Sequence, residues 1–95
     1  MTRDDITKHR LQHGAEFPYD AGADFWEDRA PTPQPAADWA HAAARGVLAD
    51  LLDRRGIKWE LEKVDYDVRA ELTHSMAAII RQAHADDAIA KAEAA

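Results

Sequence analysis

Residues 49–68 read ADLLDRRGIKWELEKVDYDV, and the fold turns on how this stretch is punctuated. In DRRGI, Arg54 and Arg55 place positive charge in a last helical turn, where it opposes the helix macrodipole. Gly56 can take the left-handed conformation that closes a helix, and Ile57 can pack back on the turn before it. Further on, Asp65 offers an N-cap, while Asp67 and Glu71 put negative charge into the opening turns of a new helix. A stop and a start this close together predict a helical hairpin with Gly56 at or near its turn.

The piece between the two signals has two readings. Ile57, Trp59 and Leu61 alternate with Lys58, Glu60 and Glu62 as in a strand, yet Ile57, Leu61, Val64 and Val68 also fit a helix. A lone strand needs a partner, and the other alternating piece, Ala15, Phe17 and Tyr19, carries Pro18. A short helical turn is therefore the preferred reading.

Outward on both sides the period is helical. From Pro35 to Arg55, Trp39, Ala43, Val47 and Leu51 recur at i, i+4, with Ala40, Ala44, Leu48 and Leu52 beside them, and Asp38 can cap or load the first turn. Asp50 and Arg54 stand in the favourable acid-then-base order. After Asp65, Val68, Leu72, Met76, Ile79, Ile80 and Ala83 form the cleanest amphipathic stripe. Ala70, Ala77 and Ala78 make a small apolar flank that another helix, from this chain or a second copy, could approach closely. Beyond His84 the ADDAIAKAEAA tail has high helix propensity but little to bury except Ile89, so it extends the helix or frays.

The N-terminal third has a different texture. Met1 to Gln12 suits a short helix with Asp4 and Asp5 in its first turn and a thin apolar face of Ile6 and Leu11. From Gly14 to Pro35 no apolar period repeats, and Pro31, Pro33 and Pro35 stiffen the chain toward an extended linker. Four of the chain's seven aromatics, Phe17, Tyr19, Phe25 and Trp26, lie in this arm among Glu16, Asp20, Asp24, Glu27 and Asp28. The expectation is thus an all-α protein, a single small domain. Residues 1–35 are its arm and linker, 36–84 its hairpin and 85–95 an Ala-rich tail, together a small helical bundle that a second copy could complete as a dimer.

A chain of 95 residues buries only roughly 60 to 65% of the surface its unfolded form exposes, so its core must be small. The formal net charge of −6 is carried at the ends. Residues 1–35 hold four basic and seven acidic residues, 36–64 five and five, and 65–95 three and six. Nucleic-acid affinity comes mostly from Lys and Arg neutralising phosphates, so direct binding to DNA or RNA is not expected. The helix, glycine turn and helix suggest a helix-turn-helix reader, with Arg54, Arg55, Lys58 and Lys63 near the turn. Glu60, Glu62 and Asp65, however, occupy the segment that would meet phosphate. With no cysteine, neither a disulfide framework nor a thiolate site is available. The opening MTRDDITKHR lacks the apolar stretch of a secretory signal, and no run of about 18 apolar residues follows. No membrane partner is expected, and the cytoplasm is the expected compartment.

Catalytic signatures are missing. His9 and His13 would share a helical face, but no third or fourth ligand accompanies them, and His41, His74 and His84 stand singly. No metal or cofactor is expected. The many carboxylates lack the pocket that paired acid and base work requires and are read as solubilising surface. No glycine-rich phosphate loop or nucleophile elbow occurs, so an enzyme is not the expectation. What remains is the arm. Exposed aromatics supply contact area and flanking acids steer a basic partner, which makes Phe17, Tyr19, Asp20, Asp24, Phe25, Trp26, Glu27 and Asp28 the candidate partner-binding residues. The competing reading folds these aromatics back over a hairpin too small to cover its own stripe.

The block GVLADLLDRRGIKWELEKVDYDVRAELTHSMAAIIRQA, Gly46 to Ala83, resembles small bacteriophage- and prophage-encoded proteins over about two fifths of the chain. The resemblance implies context: such small acidic proteins often bind and inhibit or redirect a host protein, anti-CRISPR proteins among them, and would work in the host cytoplasm. It carries over no functional residue. Together these readings predict a non-enzymatic inhibitor or adaptor that docks on a basic protein surface. The alternative is a structural homodimeric or oligomeric helical subunit.

Overall fold

The computed structural model describes residues 12–28, 32 and 34–94. Five helices follow in order: α1 (Gln12–Glu16), α2 (Ala23–Trp26), α3 (Trp39–Leu52), α4 (Ile57–Glu62) and α5 (Tyr66–Ala94). Among the described residues there is no strand, so the chain is all-α. The segment with two readings is helix α4. Apart from Gln12, the helix expected over Met1 to Gln12 lies outside the described residues. The tail from residue 85 to 94 continues α5 with every residue exposed.

The punctuation works through specific atoms. Asp38 caps α3 by accepting the His41 backbone N–H at 2.9 Å through Oδ1, which satisfies one of the four orphan donors at the helix start. The same carboxylate accepts from His41 Nδ1 at 2.8 Å and from the Arg81 guanidinium of α5. These bonds, the backbone N–H of His41 first and its ring second, hold the Asp38 carboxyl at about 2 against an ordinary value of 3.8. Gly56, the residue before α4, has φ +90°, a region that residues with a Cβ rarely adopt. It ends the four-residue turn of 53–56 and leads the chain into α4.

α3 packs against α1 on one side and α5 on the other. The α3–α5 seam is built from alanines: Ala40, Ala44 and Ala77 are fully buried, with Met76 and Ile80 packed over them. Small side chains let the two backbones come close, so contact is gained through proximity more than through side-chain area. Thr73, also fully buried, satisfies its hydroxyl by donating to the Arg69 carbonyl one turn back at 2.8 Å.

Which face turns inward differs from the apolar count. On α3 the buried set is Ala40, Ala44, Arg45, Leu48 and Ala49, while Trp39 and Val47 are half-exposed. On α5 it is Arg69, Thr73 and Ala77, while Val68 is half-exposed and Ile79 largely exposed at 70%. Of the small flank on α5, Ala77 is the member that meets α3; Ala70 and Ala78 face solvent. The reason lies in Arg45, whose buried guanidinium donates to Asp20 at 2.6 Å and to the Gln34 carbonyl at 3.0 Å. Satisfying that charge rotates α3 so that Arg45 turns toward the arm.

α1 crosses α3 at a glycine contact. A Cβ built on Gly14 would lie 2.7 Å from Arg45 Cβ and 2.9 Å from the Gly46 backbone nitrogen, so no larger residue fits without moving α1. Gly14→Ala is expected to lower stability by about 1 to 3 kcal/mol, read from the denaturant midpoint, whereas Gly22→Ala, where a Cβ meets nothing within 4 Å, should be nearly neutral. A second expectation concerns acid. Because the Asp38 carboxyl is lowered on folding, its contribution is complete above pH about 4 and is lost as pH falls toward about 2. Asp38→Asn keeps an acceptor for the cap, so its urea midpoint should fall less steeply across that window than that of the unaltered chain.

Candidate binding cleft

The arm is anchored by one tyrosine. Tyr19 is 1% exposed, and its hydroxyl donates to the Leu61 carbonyl at 2.6 Å, near the end of α4. Burial raises its pKa above the ordinary phenol value, against a smaller opposing pull from Arg69, so it serves as a neutral donor. Over its ring, 5.0 Å from the centroid, lies the Arg69 guanidinium, which also sits 4.9 Å from the ring of Tyr66. Arg69 donates through Nε to the Val64 carbonyl at 2.9 Å and through Nη2 to the Glu62 carbonyl at 2.7 Å. One buried cation thus caps the C-terminal end of α4 and stacks on two aromatic faces.

Beside this node opens a cavity of about 360 Å³. Phe17, Tyr19, Trp26, Ala49, Leu52 and Tyr66 supply its apolar and aromatic wall, and Asp53, Lys58, Glu62 and Arg69 its polar one. Phe17 is half-exposed at 47%. The indole N–H of Trp26 is buried and has no acceptor among the described residues, and Phe25 props that ring edge-on at 4.9 Å between centroids. Tyr66 closes the rim by donating to Glu27 Oε1 at 3.4 Å; lost hydration first, then the Glu27 carboxylate, raise its pKa.

The arm residues proposed from sequence therefore divide. Phe17 and Trp26 line the cleft, Phe25 supports Trp26, and Glu27 tethers Tyr66, while Asp24 and Asp28 stand exposed nearby. Tyr19 and Asp20 face inward, the first in the core and the second paired with Arg45. The far wall, from Leu52 and Asp53 through Lys58 and Glu62 to Tyr66 and Arg69, was not among them. Its one sequence signal is Tyr66 and Arg69 at i, i+3, an aromatic and a cation on one face of α5.

Chemically the cleft can hold an apolar or aromatic group and offer it hydrogen bonds. Among the described residues no cluster of three or more His, Asp or Glu side chains could hold a metal, and no helix is long and apolar enough to cross a membrane. Comparison with protein-family models, with curated proteins and with solved structures found no match.

The inward pair separates scaffold from surface. Asp20→Ala strips a buried guanidinium of its partner and should destabilise by about 3 kcal/mol or more, while Asp24→Ala, on the exposed side, should stay within about 0.5 kcal/mol. Chemical denaturation of the two variants checks the contrast.

Proposed function

We propose that the chain is a non-enzymatic protein-binding module, an inhibitor or adaptor whose cleft receives an aromatic or aliphatic side chain from a basic segment of its partner. The observation that carries this reading is the cleft itself: an aromatic-walled cavity lined by Phe17, Tyr19, Trp26 and Tyr66, with half-exposed Phe17 at its edge. Aromatic anchors in partly enclosed pockets are where interface energy concentrates. Asp24, Glu27 and Asp28 stand exposed on the same arm, in a chain of net charge −6, and would steer basic residues flanking the inserted side chain. In this reading the helical hairpin of α3 to α5 is the scaffold and the arm is half of the interface. The resemblance to phage-encoded proteins would make the partner a host protein of the cytoplasm.

A second reading has its own observation. Val68 and Ile79 lie eleven residues apart on nearly one line of α5, and both are exposed, as a homodimeric seam would require. Light scattering at high protein concentration separates the two, since a strict monomer removes the dimer.

For the leading reading, panning a random-peptide library on the full chain should enrich sequences that set Trp, Phe or Leu among Lys and Arg. Calorimetry with an enriched peptide should show at least tenfold weaker binding, about 1.4 kcal/mol, for Phe17→Ala and for Trp26→Ala, and weaker binding with added salt. Peptides that bind both variants as well as the unaltered chain would place the interface elsewhere.

A further inference from the structure

Away from the cleft, α3 and α5 bring two histidines together. His41 Nε2 lies 3.2 Å from His74 Nδ1, with ring centroids 5.3 Å apart and planes inclined by 41°. The tautomer of His41 follows from its other nitrogen. Nδ1 is 2.8 Å from Asp38 Oδ1, and an ionised carboxylate only accepts, so Nδ1 carries the proton and Nε2 presents a lone pair. Asp38 is itself held by the His41 backbone N–H and by Arg81, so the imidazole is aimed before any ligand arrives. A carboxylate behind a histidine is the arrangement that orients metal-bound imidazoles and raises their basicity.

The spacing fits the same use. Two nitrogens bound at about 2.0 to 2.1 Å to one tetrahedral ion lie roughly 3.3 Å apart, close to the separation already present. We propose that His41 Nε2 and His74 Nδ1 form a two-nitrogen site for a divalent transition metal, Zn²⁺, Ni²⁺ or Cu²⁺, that clips α3 to α5. On binding, the His74 proton moves from Nδ1 to Nε2, so both imidazoles stay neutral and the ion takes the place of the bridging proton. Among the described residues no third side chain completes the set, and His74 is exposed, so water fills the remaining positions. Imidazole pairs favour Cu²⁺ over Ni²⁺ and Zn²⁺. The Arg81 guanidinium is paired with the second oxygen of Asp38.

The test uses the full chain, freed of metal by chelator and titrated at pH about 7.5 with Cu²⁺ and separately with Zn²⁺. At a metal concentration about 100 times Kd, the ratio of folded to unfolded chain should rise about a hundredfold, seen as a higher Tm. His41→Ala and His74→Ala should each abolish that rise, and His84→Ala should keep it. Because His41 adjoins the α3 cap, electron paramagnetic resonance of the unaltered chain with one equivalent of Cu²⁺ gives an independent reading, expected to show coupling to two imidazole nitrogens. A metal-induced rise that survives in His74→Ala, or no saturable binding to the unaltered chain, overturns the proposal.

Discussion

The guanidinium of Arg69 is the point on which three separate pieces of chain depend. Its two donated bonds terminate α4, its carbon stem belongs to α5, and its π-faces meet Tyr19 of the arm and Tyr66 of its own helix. A buried cation needs hydrogen-bond partners, and here they are the Glu62 carbonyl at the end of α4 and the Val64 carbonyl just beyond it. The cation solves the helix end and the helix end solves the cation. Tyr19 then closes the arrangement by donating to Leu61, so an arm with little apolar periodicity is held by polar geometry.

Arg45 plays the matching part on the other side of α3. Paired with Asp20 and the Gln34 carbonyl, it holds two separate points of the arm to one helix face, where Gly14 and Gly46 let α1 approach to backbone contact. A core made largely of alanine buries little area per residue, and the hydrophobic contribution scales with that area. These buried arginines, each with two hydrogen bonds across elements, compensate by fixing which surfaces meet. They also leave Trp59, Ile79 and Ile89 half-exposed or more, apolar surface the small fold does not cover.

The cleft follows from that arrangement. Phe17 and Trp26 stand on either side of the Tyr19 anchor in sequence, and α4 and α5 bring Lys58, Glu62 and Tyr66 to face them. Because the wall comes from both the arm and the helices, neither would form it alone. Its polar groups are few and differ in state: Arg69 is committed to backbone carbonyls, Tyr66 to Glu27, and the Trp26 N–H is uncommitted among the described residues.

Much of the secondary structure could be read locally, because caps and turns act over a few residues. Asp38 caps where its position before the apolar run suggests, and Gly56 adopts the positive φ that DRRGI implies. Period alone revealed the inward face only in part. The expected stripe holds the buried Ala40, Ala44 and Leu48, yet its Val47, Val68 and Ile79 stay exposed, and Arg45, Arg69 and Thr73 are buried instead. Likewise the arm's aromatics were visible as a group, but not that Tyr19 is buried and bonded to Leu61 while sharing one cleft with Phe17 and Trp26. Helix boundaries depend on hydrogen bonds within one turn and so are written in the sequence. Helix rotation, the division of the arm and the meeting of His41 with His74 depend on partners tens of residues away, and only tertiary packing decides them.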